Sequence, residues 1–216
     1  MDERGFVRSP GARIVVGAGG HAKVVIAAME AMGTPADAVL DDNRALWGAA
    51  LLGVPVVGGS ELLAAWESPR VVIAIGSNAR RKRIAEAHPH ASWITVVHPS
   101  ALVHRSVKLG EGVMVIWRAV IEPDAVIGAH AIVNSGAIVC HDSTVGAYAH
   151  VSVTAVMAGN AHVGEGVFLG MNAGVIGGVT VGAWSTVGAG ASVVRDVPPR
   201  SVAVGVPARV IRSLEG

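Results

Sequence analysis

Between Val97 and Val193 an aliphatic residue returns at every sixth position, through Val115, Ile121, Val139, Met157 and Val175, without a break. Four places after each stands a small residue, most often alanine, as at Ala101, Ala119, Ala131, Ala149 and Ala173. Neither the period of a helix nor the alternation of a strand keeps a strict six. A hexad repeat predicts a parallel β-helix, each hexad making one flat side and one corner of a three-sided coil. The aliphatic residue fills the interior at the corner, and the small one fits where the walls come close. Residues about 18 apart then occupy neighbouring rungs, about 4.8 Å from each other. The repeats make roughly five to six coils, a prism on the order of 27 Å tall.

The earlier part of the chain follows another rhythm. Arg13-Ile-Val-Val16 reads as a short buried strand, Gly17-Ala-Gly-Gly20 as a tight turn, and 21–32 as an apolar helical run. Val39-Leu40 predicts a second strand ending at Asp41-Asp42. A strand over 54–57, a helix around 60–66, a strand over 71–75 and a basic helix over 79–87 follow. Strands alternating with helices predict a small Rossmann-like parallel sheet covered on its faces. The expected domains are 1–96 and 97–216, with no flexible linker between them. Asp196-Val-Pro-Pro-Arg200 breaks the hexads because proline donates no ladder hydrogen bond. Residues 201–211 are expected to form a closing strand or tail over the open solenoid end.

Composition narrows the classes. Hydrophobic residues reach 51% while aromatics are only 4%, which suits a narrow core of Val, Ala and Ile. A net charge of +1 leaves no footprint for nucleic acid or an anionic membrane. Cys140 is the single cysteine, which excludes an internal disulfide. Nothing at the N-terminus resembles a signal peptide, so a cytoplasmic protein is expected. Residues 166–194 carry no charge and are long enough to suggest a membrane span. Their glycines, Asn172 and unbroken hexad phase argue against one.

The turn Gly17-Ala18-Gly19-Gly20-His21-Ala22 satisfies G-x-G-x-x-A, and Asp41 lies where a ribose-binding acid would sit. Glycines let backbone approach phosphate oxygens, and a helix N-terminus favours negative charge. About 95 residues cannot hold both halves of a dinucleotide fold, so a nucleotide-sugar pyrophosphate fits better than a nicotinamide dinucleotide. Asp41 and Asp42 suit hydrogen bonds from ribose or base; an exposed acidic turn is the plainer alternative.

Nine histidines punctuate the chain, none with metal-ligand spacing, and no metal is expected. His98 and His104 take one hexad position as turn residues, and His130 is expected to be solvated. His141 stands apart because Asp142 follows it and because adding 18 reaches Gly159. An imidazole beside a glycine N–H suits acyl transfer: the ring takes a proton and the amide steadies an oxyanion. Asp142 is placed to fix the tautomer. The competing reading is a polar corner facing water.

These residues carry a resemblance. Val16-Gly-Ala-Gly-Gly-His-Ala-Lys23, Leu40-Asp-Asp42, Ala74-Ile-Gly-Ser-Asn78, Arg81-Lys-Arg83, Val133-Asn134, His141-Asp142, Ala149-His-Val-Ser152, Ala158-Gly-Asn160 and Gly205-Val-Pro-Ala-Arg209 resemble the bacterial sugar O- and N-acyltransferases. Sialic acid O-acetyltransferase and the N-acetyltransferase of bacillosamine synthesis typify that family, and the GDP-perosamine N-acetyltransferases are similar members. The resemblance implies an α/β domain followed by a left-handed parallel β-helix, assembled as a homotrimer with active sites between subunits. It implies acetyl-CoA-dependent N-acetylation at C4 of a nucleotide-linked 4-amino-4,6-dideoxyhexose. His141 matches the base, Gly159 the amide facing the thioester oxygen, and Asp142 stands where the bacillosamine relative has Glu. Gly17, Gly19, Gly20, His21, Asp41 and Asp42 match the nucleotide-sugar pocket, and Asn134 the sugar side of the cleft. His150, Gly159, Asn160 and Arg209 match the acetyl-CoA side. Sugar O-acetylation by the same chemistry, and a non-catalytic nucleotide-binding scaffold, remain the alternatives.

Overall fold

The computed structural model describes residues 11–66 and 69–214, and the chain divides into two compact units, Met1–Val96 and Val97–Gly216. In the first, β1 (Arg13–Val16) pairs in parallel with β2 (Ala38–Leu40) on one side and with the later Arg70–Ile73 strand on the other. Between them in sequence come β3 (Ala50–Leu51) and β4 (Val54–Gly58); Arg70–Ile73 is β5, and Ser92–Trp93 is β6. The sheet order is β3-β4-β2-β1-β5-β6. Every pairing is parallel except β3 with β4. That edge hairpin was not expected, because its turn is Leu52-Gly53 with both residues at positive φ. Leucine at the first turn position carries no hairpin signal.

Helix α1 (Gly20–Ala31) buries Ala22, Val25, Ile26 and Met29, the three-and-four spacing of a single apolar stripe. Helix α2 (Asn78–Ala87) starts at Ser77, whose hydroxyl accepts the Arg80 N–H. The helix expected around 60–66 is a 3-10 helix, Ser60–Ala65. From β1 the chain crosses to β2, and from β5 it crosses the opposite way to β6. Strand order therefore reverses between β1 and β5, leaving a crevice at their carboxyl ends.

The second unit is a parallel β-helix. Two-residue strands form three sheets, and partners stack 18 residues apart, as in the column Val103, Ile121, Val139, Met157, Val175 and Val193. Inside lie the hexad aliphatics and, between them, Ala119, Ala131, Ala149, Ala161 and Ala173. Ser143 and Ser185 replace alanine inside the column and stay satisfied. Ser143 Oγ donates to the Ala158 carbonyl at 3.0 Å, and Ser185 Oγ to that of Pro198 at 2.8 Å.

Corners repeat as strictly as walls. From Gly112 to Gly190 every sixth residue has positive φ, including Asp124, His130, Asp142, Tyr148 and Asn160. Higher rungs satisfy the N–H of this residue with a carbonyl from the rung below, Asp142 to Pro123 at 3.1 Å and Asn160 to His141 at 2.9 Å. At the first coil serine hydroxyls take over, Ser100 for Arg118 and Ser106 for Asp124. His98 and His104 hold those hydroxyls through Nδ1, at 2.8 and 2.9 Å. His130, expected in solvent, is instead buried and stacks on Tyr148 one rung above, with 5.3 Å between centroids. The period of 18 that sets rungs also stacks rings.

After the prolines, Ser201–Val204 adds in parallel to the Thr186–Val187 strand. It then hairpins with Arg209–Ser213, giving the expected closing segment a second, antiparallel strand. Among the described residues no helix is long and apolar enough to cross a membrane.

Because walls nearly touch at the alanine positions, Ala149→Leu should cost about 1–3 kcal/mol by overpacking. Removing interior volume with Ile127→Ala should cost about 2–5 kcal/mol. Thr180→Val on the outer surface should stay within about 0.5 kcal/mol. Chemical denaturation of the three variants checks the ranking.

Candidate active site

The crevice at the carboxyl ends of β1, β2 and β5 is a cleft of about 520 Å³. Its walls are Gly17 to His21, Asp41 with Asp42, and Ile75 with Gly76, joined by Arg80. Gly17 has φ +106, and a Cβ there would lie 2.8 Å from Ile75 Cγ1 and 3.0 Å from the Ala74 oxygen. Only glycine fits. Gly19 and Gly20 have nothing within 4 Å of a built Cβ, so their bare backbone faces open space. Gly19 caps α1 without any side-chain hydrogen bond. Within the described residues no acceptor takes the Gly19 or Gly20 N–H. Bare N–H groups at a helix start, fronting open volume, suit phosphate oxygens.

The two acids act as fasteners. Asp41 Oδ2 accepts the Ala18 N–H at 2.7 Å and Oδ1 the Asn43 N–H at 2.8 Å, tying the glycine turn to the end of β2. Asp42 Oδ1 accepts both the N–H and the hydroxyl of Ser60, each at 2.8 Å. Those bonds, with Arg80 and Arg83 nearby, hold its carboxyl below the usual range. Sequence reasoning missed Ser60 in this role, and missed Arg81. The Arg81 guanidinium is fully buried and donates to the Ile75 carbonyl at 2.9 Å and that of Gly76 at 3.1 Å, bracing the far wall. Burial draws its pKa down to about 9, still cationic at neutral pH.

His21 lies in the first turn of α1, on the cleft wall. Burial, then the Arg81 charge, lowers its pKa to about 4, so the ring is neutral under ordinary conditions. The unfolded chain takes up a proton below pH 6.5 that the folded chain refuses. Unfolding free energy should therefore fall between pH 6.5 and 4, by up to about 3 kcal/mol. Urea titrations of His21→Asn should show that acid slope flattened.

In the β-helix, His141 follows the Ile138–Val139 strand at a corner. A Cβ on Gly159 would come within 2.5 Å of the ring's Cε1 and Nε2, so the imidazole sits directly on the glycine one rung above. No acceptor among the described residues takes the Gly159 N–H. Asp142 lies at φ 61, and its Oδ2 meets His141 Nδ1 at 2.8 Å. The shorter acid reaches the ring. That hydrogen bond, the Asp142 charge and the Glu122 charge raise the His141 pKa, while partial desolvation opposes them. Glu122 was not singled out from sequence; its Oε2 accepts the His141 N–H at 3.0 Å. Burial and Glu122 push the neighbouring Cys140 thiol up, away from thiolate.

Asn134 and His150 form a separate pair. Asn134 Nδ2 meets His150 Nε2 at 3.0 Å, both are buried, and Phe168 packs edge-on against the His150 ring. The wall strand Ile138–Val139 separates Asn134 from His141 along the coil, so the two sets lie on different sides of one prism. Asn160 sits at φ 57 and donates its N–H to the His141 carbonyl. Arg209 is exposed on the closing hairpin, its Nη1 on the Ala208 carbonyl. Among the described residues no group of His, Cys, Asp and Glu is arranged to hold a metal ion.

Known proteins resemble this chain in sequence and fold. Residues 14–88 match the PglD N-terminal domain, and residues 160–195 the bacterial transferase hexapeptide family of six repeats. The UDP-N-acetylbacillosamine N-acetyltransferase of Bacillus subtilis is 40% identical over 107 residues, 47% of this chain and 50% of that protein. The match thus spans half the length of that curated relative. A histidine-to-alanine variant of GDP-perosamine N-acetyl transferase from Caulobacter crescentus, in complex with CoA and GDP-perosamine, superimposes with a TM-score of 0.88. Identity is 42%, over 95% of this chain and 99% of that one. The acetyltransferase domain of PglB from Neisseria gonorrhoeae FA1090, in complex with acetyl coenzyme A, gives 0.88 at 32% identity over 94% and 100%. The chain belongs to the bacterial sugar N-acetyltransferase family, in which a Rossmann-like domain precedes a left-handed hexapeptide β-helix and acetyl-CoA is the cosubstrate.

Proposed function

We propose that this protein transfers the acetyl group of acetyl-CoA to the C4 amine of a nucleotide-linked 4-amino-4,6-dideoxyhexose, with GDP-perosamine the favoured acceptor. The observation that carries the reading is the His141 ring seated on Gly159 and hydrogen-bonded to Asp142. With Nδ1–H given to the carboxylate, the Nε2 lone pair is the one left to take a proton. The amine nitrogen attacks the thioester carbonyl as Nε2 removes its proton, and the Gly159 N–H is the donor for the developing oxyanion. The tetrahedral adduct collapses by breaking the C–S bond, and the thiolate leaves with a proton from the imidazolium. No residue is acylated, in keeping with a Cys140 thiol held protonated.

Residues 1–96 bind the nucleotide sugar in this reading. The Gly17–Gly20 turn meets the pyrophosphate, and Asp41 and Asp42 shape the nucleoside end. Residues 97–216 carry the transfer, with His150, Asn160 and Arg209 on the CoA side and Asn134 on the sugar side. Because Asn134–His150 and His141 occupy different sides of one prism, a complete site requires a neighbouring copy, which fits a homotrimer with sites between subunits. In the Caulobacter relative, a histidine-to-alanine variant is solved in complex with CoA and GDP-perosamine, which fits a histidine that serves the transfer more than the holding of ligands.

Thiol release from acetyl-CoA, followed over GDP-, UDP- and dTDP-linked 4-amino sugars and over hydroxy sugars, tests the acceptor. Release with hydroxy sugars alone would make the protein an O-acetyltransferase, and no release would leave a binding scaffold. His141→Ala and His141→Asn should each lose at least tenfold in turnover, while Cys140→Ala keeps most of it. Turnover needs the neutral ring, so activity rises with pH through the raised His141 pKa. Asp142→Asn should move that acid limb to lower pH and reduce the plateau.

A further inference from the structure

The β-helix satisfies most backbone groups through its rungs, but at the corners opened by Ser135 and His141 the N–H lies outside the ladder. At Ser135 that N–H goes to the Asn134 Oδ1 at 2.8 Å. At His141 it goes to a side chain one rung down, Glu122 Oε2 at 3.0 Å. Glu122 stacks beneath Cys140 by the register that pairs Ile121 with Val139, and its carboxylate helps to push the Cys140 thiol up. It is half-buried, so its charge is screened less than that of a free surface acid. We propose that Glu122 is a positioning residue for the transfer: its carboxylate clamps the corner from which the His141 ring is laid on Gly159 and places a second negative charge beside that ring.

Two carboxylates then serve one imidazole differently. Asp142 holds Nδ1 and so selects the tautomer. Glu122 holds the backbone and so fixes where the ring can swing. Its charge also favours the imidazolium that forms as the amine loses its proton. The titratable groups around the ring are Asp142 beside it, Glu122 and Cys140 on the stack beneath and before it, and Asp124 one rung below Asp142.

This inference rests on His141 being the base, and the experiment separates the two. The full chain carries Glu122→Gln, which keeps an acceptor oxygen and loses the charge, or Glu122→Ala, which loses both. The His141 imidazole is titrated by NMR, and acetyl transfer to GDP-perosamine is followed by thiol release across pH. Glu122→Gln should move the imidazole midpoint and the acid limb of kcat together to lower pH, with plateau kcat within about twofold. Glu122→Ala should show the same displacement and lose a further five- to tenfold in plateau kcat, about one hydrogen bond of orientation, with KM for the sugar little changed. An unmoved imidazole midpoint in Glu122→Gln, or wild-type plateau kcat in Glu122→Ala, would overturn the proposal. Full turnover in His141→Ala would remove the base itself, while the imidazole titration would still report on Glu122.

Discussion

Everything local in the β-helix half depends on the ladder hydrogen bonds that stack one hexad on the hexad three repeats later. Rungs sit about 4.8 Å apart, and the His141 ring comes so near the next rung that a Cβ at position 159 would lie within 2.5 Å of it. His141 lies flat on its neighbour because that neighbour is Gly159. The same register sets Glu122 under the corner and His130 under Tyr148. A slip of one residue would turn interior alanines outward and scatter these pairs at once.

The α/β half reaches its geometry by a different device. Its cleft is a gap left by strand order, and polar side chains keep the gap open. Asp41, which looks like a ligand group, spends both oxygens on Ala18 and Asn43, and Asp42 spends Oδ1 on Ser60. Arg81 does the same for the Ile75 and Gly76 carbonyls from inside the fold. Backbone at Gly19 and Gly20 stays open to the cleft.

Two histidines show how environment divides one residue type between roles. Burial keeps His21 neutral down to about pH 4, a polar wall that never carries charge at working pH. His141 lies at an exposed corner between two carboxylates that favour its charged form. In the proposed transfer, a base that must accept a proton in the transition state gains from the second setting and not from the first.

The hexad count alone located the β-helix, its interior residues and the pairing of His141 with Gly159, because a strict period converts sequence distance into rung position. The alternation of apolar runs with a glycine turn located the α/β sheet, and it missed the Ala50–Leu51 strand because Leu52 hides its turn. Other features had no local signal. Asp142 reaches the ring because a positive-φ corner swings its carboxylate back, and nothing in the pair His-Asp announces that angle. Glu122 acts from a residue 19 positions away. Arg81 reads as one more charge on a basic helix until the fold buries it against two carbonyls. Periodicity thus determined which residues share a wall or a rung. Only the tertiary structure decided which polar groups are spent on backbone and which stay open for chemistry, since hydrogen-bond satisfaction depends on side-chain direction, which no spacing encodes.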